Sequence, residues 1–162
     1  MIPEHEDGLP RRKHLRRLDQ VHVYSPVYFI TVTALGRQRV LVPLLGDAIG
    51  AVLMEAGQLN EWLVGRFVLM PDHLHFFAAA QSDKRSLSRF LGGLKEMSTR
   101  AAWGRGWQGK LWQRECFDHL LRSEESYADK WEYVRNNPVR AGLVKSSDDW
   151  PCQGELGMLS IR

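Results

Sequence analysis

The sequence predicts an α+β domain of ferredoxin-like (split βαβ) topology: an antiparallel sheet with helices on one face, followed by a further helix near the C-terminus. Three observations lead there. Apolar residues alternate with period two in some stretches and recur at helical spacing in others. Those stretches follow in the order strand, helix, strand, strand, helix, strand, helix. The 162 residues are 44% hydrophobic, enough for a single core. Nothing repetitive divides the chain, so residues 25–151 read as the domain, 1–24 as a basic arm and 152–162 as a short tail.

Val27 to Ala34 (VYFITVTA) is β-branched and aromatic, with Tyr28, Ile30 and Val32 on one face and Phe29, Thr31 and Thr33 on the other. Gly36 and Pro43 mark a loop. Ile49, Val52, Leu53 and Ala56 recur at helical spacing, which predicts a first helix from Asp47 to about Asn60. Leu63 to Met70 reads as a second strand, Pro71-Asp72 as a tight turn, and Leu74 to Ala80 as a third strand pairing back on the second. A second helix starts near Ser86 with the stripe Leu87, Leu91, Leu94, Ser98 and Ala101, and ends in the glycine-rich GRGWQG. Leu111 to Leu121 is the fourth strand. Ser123 caps a third helix whose first turn holds Glu124 and Glu125, where the helix dipole favours acids. Pro138 ends that helix near Asn136 or Asn137. Helices would then cover one face of the sheet and leave the other available.

Charge is unevenly distributed. Residues 1–40 hold seven bases and four acids, and residues 84–114 hold eight bases against Glu96 alone, within a net charge of +3. A basic cluster opposite an acidic remainder suits a polyanion, because neutralising phosphates releases counterions. No apolar run approaches the ~20 residues that span a bilayer. The N-terminus MIPEHEDGLPRRKHLRR carries charges where a secretory signal needs an apolar stretch. Cys116 and Cys152 form no CxxC pair, so a reducing cytosolic setting is expected.

Two elements could carry chemistry. His73-Leu74-His75 opens the third strand, so both imidazoles point to one face while Leu74, Phe76 and Ala78 point to the helices. Two neutral imidazoles side by side suit a divalent metal; two ordinary surface histidines are the plain alternative. On the wheel of the third helix, Trp131 and Val134 fall on the same side as Tyr127, an apolar stripe that makes Tyr127 a core residue. Tyr133 falls on the polar side, among Asp129 and Ser126, with Lys130 and Asn137 one turn away. It reads either as a nucleophile or as an ordinary amphipathic surface residue. A metal on His73 and His75 could orient a scissile phosphate in line with Tyr133, and the amide of Asn137 could complete the ligand set. Asn136 competes with Asn137, but it lies farther round the wheel from Tyr133. Asp118 and His119 point to opposite faces of the fourth strand, so one of them could support the site or make a structural hydrogen bond. Trp107 and Trp112 could stack on bases or fill the core.

The stretches VYFITVTALGRQRVL, FVLMPDHLHFF, LWQRECFDHLLRSEESY and WEYVRNNPVRAGLV resemble the REP-associated tyrosine transposases, a branch of the single-tyrosine HUH (His-hydrophobe-His) transposases. The resemblance covers about residues 25–151. Carried over by position, it implies that His73 and His75 are metal ligands, that Asn137 matches the third ligand (a Gln in many relatives), and that Tyr133 is the catalytic tyrosine. It implies single-strand DNA cleavage near a hairpin through a 5′-phosphotyrosine intermediate with Mg²⁺ or Mn²⁺. Arg11, Arg12, Lys13, Arg16 and Arg17 of the arm, with Arg85, Arg89 and Lys95 of the second helix, would hold the hairpin and its flanking bases. Asp118, His119 and Lys130 are candidates to support the site. The expected protein is cytoplasmic and nucleoid-associated, off the membrane, and a monomer or homodimer. Two other readings stand beside it: a catalytically inactive hairpin-binding or regulatory protein, and an RNA-binding domain. The strands lack paired exposed aromatics of the stacking kind, which argues against the last.

Overall fold

A computed structural model describes residues 26–82 and 86–161. The basic residues Arg11, Arg12, Lys13, Arg16, Arg17 and Arg85 lie outside the described residues. The chain forms β1 (Val27–Ala34), α1 (Leu41–Leu45), α2 (Ile49–Asn60), β2 (Trp62–Leu69), β3 (His73–Ala80), α3 (Leu87–Trp103), β4 (Trp112–Leu121), α4 (Glu124–Arg135), α5 (Asn137–Arg140) and β5 (Gln153–Glu155). Every strand pairing is antiparallel, in the spatial order β4-β1-β3-β2-β5. The first four positions of that order are the split βαβ arrangement expected from the sequence.

Alternation sorts the strand residues onto two faces. Ile30, Val32, Leu74, Phe76 and Ala78 are buried against α1, α2 and α3 in one core, together with Phe90, Leu91, Leu94 and Ala102. The stripe of α3 is therefore centred on Phe90, Leu91, Leu94, Ser98 and Ala102, and the expected Leu87 and Ala101 are only partly buried at its margins. Ser98 is tolerated there because its hydroxyl donates to Leu94 O at 2.7 Å and accepts from Trp112 Nε1 at 2.7 Å. Trp112 is thus a core residue.

The opposite face is not bare, contrary to expectation. Tyr127 and Val134 of α4 pack with Phe29, Val68, Phe77 and Leu159 in a second core. Phe77 lies 4.8 Å from the Tyr127 ring and 6.2 Å from Trp131, centre to centre. A bulge in β2 between Val64 and Phe67 serves both faces. The extra residue keeps Val64 and Phe67 on the α1–α3 side. Arg66 then stands against the Tyr127 and Trp131 rings at 5.5 and 5.2 Å and pairs with Glu155 at 3.5 Å.

Two further stretches differ from expectation. Pro43 sits within α1 rather than in a loop, in the first turn, where its missing N–H has no intrahelical acceptor to lose. Residues 152–161, read as a tail, add β5 to the β2 edge and send Leu159 into the second core. Gly65 permits that approach, since a Cβ there would come within 2.7 Å of Leu159 Cδ1. A three-residue strand is too short to show a period of two, which hid it in the sequence.

Candidate functional site

The turn before β3 is pinned on both sides. Met70 N donates to His73 O at 2.7 Å, Ala34 N to Asp72 O at 2.9 Å and Leu41 N to Pro71 O at 2.9 Å. That fixes His73 and His75 at the start of β3, their rings 4.6 Å apart at 75°. His73 Nδ1–H donates to Asp72 Oδ1 at 2.7 Å, which leaves a lone pair on Nε2. Asn137 Nδ2 donates to that lone pair at 3.1 Å. His75 Nδ1 pairs with Thr31 Oγ1 at 2.8 Å, the two residues being directly opposite across β1 and β3. The His75 ring stacks on Phe29 at 5.3 Å. Burial pushes the His75 pKa down to about 3, with help from His73, Lys130 and Arg140 and against the pull of Asp72. Because its folded pKa lies far below 6.5, His75 is neutral throughout the physiological range.

The helical side of the site comes from the junction of α4 and α5. Pro138 breaks the regular helix, but Asn136 keeps φ −87° and ψ 0°, so the chain turns on without unwinding. Asn137 then reaches His73, whereas Asn136 folds back to Glu132, donating to its backbone oxygen at 2.8 Å and its carboxylate at 3.1 Å. The choice of Asn137 over Asn136 follows from that divergence. Tyr133 is 63% exposed and Tyr127 5%, which separates the two tyrosines as the helical wheel predicts. The Arg140 guanidinium lies 3.9 Å from the centre of the Tyr133 ring, and its Nη1 donates to Tyr133 O at 2.7 Å. Lys130 Nζ stands 5.1 Å from the Phe29 ring centre. Among the described residues, no hydrogen bond joins the Tyr133 hydroxyl to either histidine.

Other candidates divide. His119 pairs opposite Phe29 and so shares the histidine face. Asp118 lies on the reverse side, lining a groove of about 940 Å³ between α3 and β4 with Leu91, Lys95, Thr99 and Arg114. Arg89 is exposed on α3. Lys95 is engaged, donating to Gln113 O and Arg114 O at 2.7 Å each, and it braces α3 against β4. Sequence reasoning missed Thr31, Asp72 and Arg140. Thr31 becomes visible only through strand register, and Asp72 was read as a turn residue although it adjoins His73. Arg140 lies beyond the proline at which the helical wheel was stopped.

Several comparisons bear on this arrangement. No family model matches the chain. It is similar to the REP-associated tyrosine transposase of Escherichia coli K12, 22% identical over 131 residues that cover 80% of this chain and 76% of that one. An uncharacterised Haemophilus influenzae protein is also 22% identical, covering 86% of this chain and 94% of its own length. The fold matches the solved structure of a REP-associated tyrosine transposase bound to a REP hairpin, with a TM-score of 0.70 and 21% identity over 82% of this chain and 78% of that one. The resemblance to REP-associated tyrosine transposases is thus borne out, and the chain is transposase-like in sequence and fold. Among the described residues, no helix is long and apolar enough to cross a membrane.

Proposed function

We propose that this protein cleaves and rejoins single-stranded DNA beside a hairpin, with Tyr133 as nucleophile and His73, His75 and Asn137 as a divalent-metal site. The observation that carries the reading is the 3.1 Å contact between Asn137 and His73, because it brings the helix bearing Tyr133 onto the paired imidazoles. The binding of a hairpin by the structural relative supports a hairpin partner here.

The residues fit a metal. Asp72 holds His73 in the tautomer that keeps the lone pair on Nε2, where Asn137 now donates, the carboxylate–histidine pairing that orients metal ligands. With Nδ1–H donating to Thr31, His75 likewise carries its lone pair on Nε2. The low pKa of His75 keeps a proton from competing for that position. Asn137 would contribute Oδ1 once its amide turned over. Two imidazoles and an amide oxygen suit Mn²⁺ better than Mg²⁺, which prefers all-oxygen shells. A cation bound there supplies positive charge beside the phosphate.

The protein's own groups define the rest of the reaction. Tyr133, exposed and held by Arg140, presents its phenol to an incoming strand. As the phenolic oxygen bonds to phosphorus, the P–O3′ bond breaks; the phenolic proton passes to solvent and the released 3′ oxygen takes one up. The phosphotyrosine link keeps the energy of the broken bond, so attack by a 3′ hydroxyl reverses the step without another energy source. Lys130 and Arg140 add positive charge at His75.

Incubation with hairpin-bearing single-stranded DNA and Mn²⁺ is expected to leave a covalent protein–DNA adduct that survives SDS. Tyr133→Phe should abolish it and His73→Ala reduce it steeply. An adduct that persisted in Tyr133→Phe would remove the tyrosine assignment. Hairpin binding without any adduct under either metal would instead support the binding-only protein.

A further inference from the structure

Phe117 is the large hydrophobic side chain most out of place on the histidine face. It is 59% exposed on β4, which among the described residues pairs with β1 and forms an end of the sheet. In register it stands opposite Thr31, which in turn stands opposite His75, so Phe117, Thr31 and His75 form one row across three strands. Two interstrand steps separate Phe117 from His75, about 10 Å. An aromatic ladder joins them: Phe117 meets Phe29 edge-on at 6.5 Å, and Phe29 stacks on His75 at 5.3 Å. Phe29 is buried and takes the Lys130 ammonium against its ring. Helix α4 covers the Phe77 end of this face, where Tyr127 and Trp131 pack, and leaves Phe117 uncovered. Two residues along the strand on the same face, His119 presents a second exposed ring.

We infer that Phe117 stacks on an unpaired nucleobase adjacent to the scissile phosphate and so sets where along a single strand Tyr133 cuts. This rests on the proposed phosphodiester chemistry. A base inside a duplex has neighbours on both faces, whereas an unpaired base has a free face that an aromatic ring can cover, whatever the base. The surroundings suit the same occupant, since Lys130 and Arg140 bring positive charge to His75, two strands away, where the base's own phosphate would lie. Phe117 is a positioning residue here. It touches a base and leaves the reacting atoms to Tyr133 and the metal ligands.

The test uses the full chain carrying Tyr133→Phe, without added metal, so that the strand binds uncut. Hairpin DNA bears a fluorescent adenine analogue at each flanking position in turn. At one position, binding should quench the fluorophore several-fold, and Phe117→Ala should remove most of that quenching. Phe117→Trp should retain it and Phe117→Leu should not. Affinity for the hairpin stripped of its flanks should change less than twofold in Phe117→Ala. With Tyr133 intact and Mn²⁺ present, Phe117→Ala should also spread cleavage over neighbouring positions. Equal quenching in Phe117 and Phe117→Ala proteins at every position would overturn the inference, as would full retention by Phe117→Leu, which keeps bulk but has no ring. Loss of the covalent adduct in the otherwise native protein would defeat the phosphotyrosine chemistry and leave the fluorescence result standing, so the two failures are told apart.

Discussion

Asn137 donates its side-chain amide to Nε2 of His73 across 3.1 Å, joining the α4–α5 junction to the start of β3. Residues 64 positions apart in the sequence thereby share one point in space. If that point is a metal position, Asn137→Ala should lower Mn²⁺-dependent adduct formation by roughly 10- to 100-fold, the range seen when groups around a metal are removed. Asn136→Ala, on the neighbouring residue that turns back to Glu132, should leave it near the native level. A manganese titration of both variants checks this, and equal losses would count against Asn137 as the ligand.

Asp72 holds His73 from the other ring nitrogen at 2.7 Å. Asp72→Ala frees the ring to rotate and to exchange tautomers, and should weaken Mn²⁺ binding by roughly 10-fold or more. Calorimetric titration with Mn²⁺ in the absence of DNA would measure the loss without reference to catalysis.

The two tyrosines of α4 make opposite predictions. Burial pushes the Tyr127 pKa up to about 12, opposed mainly by Arg66. No group among the described residues hydrogen-bonds its hydroxyl with normal geometry, although the Arg66 backbone amide lies near enough to oppose the shift slightly. Above pH 10 the unfolded chain loses this proton while the folded chain keeps it, so stability falls as pH rises from 10 to 12, by roughly 1.4 kcal/mol per pH unit. Tyr127→Phe should flatten that alkaline loss and stabilise the protein by roughly 1 kcal/mol at neutral pH, since an unsatisfied buried hydroxyl is removed. It should leave the adduct intact. Denaturant unfolding at neutral and alkaline pH reads the first two effects, and adduct yield the third.

Arg140 both stacks on Tyr133 and grips its carbonyl. A cation–π contact at an exposed site is worth about 0.5–1 kcal/mol, so Arg140→Lys, which loses the flat guanidinium, should slow single-turnover cleavage roughly two- to fivefold. An unchanged rate would mean that the stacking does not orient the phenol.

Leu159 reaches the second core past Gly65. Leu159→Ala should cost about 2–3 kcal/mol in unfolding free energy, as for other core leucines. A loss below about 0.5 kcal/mol, the range of ordinary surface substitutions, would show that residues 152–161 are not integral to the fold.

Much of this site was legible because its parts are local. His73 and His75 share a face by the period of a strand, and Tyr127 and Tyr133 separate by the period of a helix. Both follow from backbone geometry over a few residues. Thr31 could not be assigned to His75 without the register of β1 on β3, nor Phe117 to the same row without that of β4 on β1. Lys95 looked like a free cation because the carbonyls it meets lie 18 and 19 residues away on another element. The second core escaped notice because α4 has an apolar stripe whose partner surface is named by no local pattern.

The sequence by itself determined the four long strands, the three long helices and which side of each carries the imidazoles and the phenol, since alternation and helical spacing are written into neighbouring residues. Tertiary structure alone decided that Asn137 rather than Asn136 meets His73, that Arg140 covers Tyr133, and that Phe117 stays open beside the site. Those outcomes depend on how strands register and how a helix continues past a proline, and both are settled by packing between residues far apart along the chain.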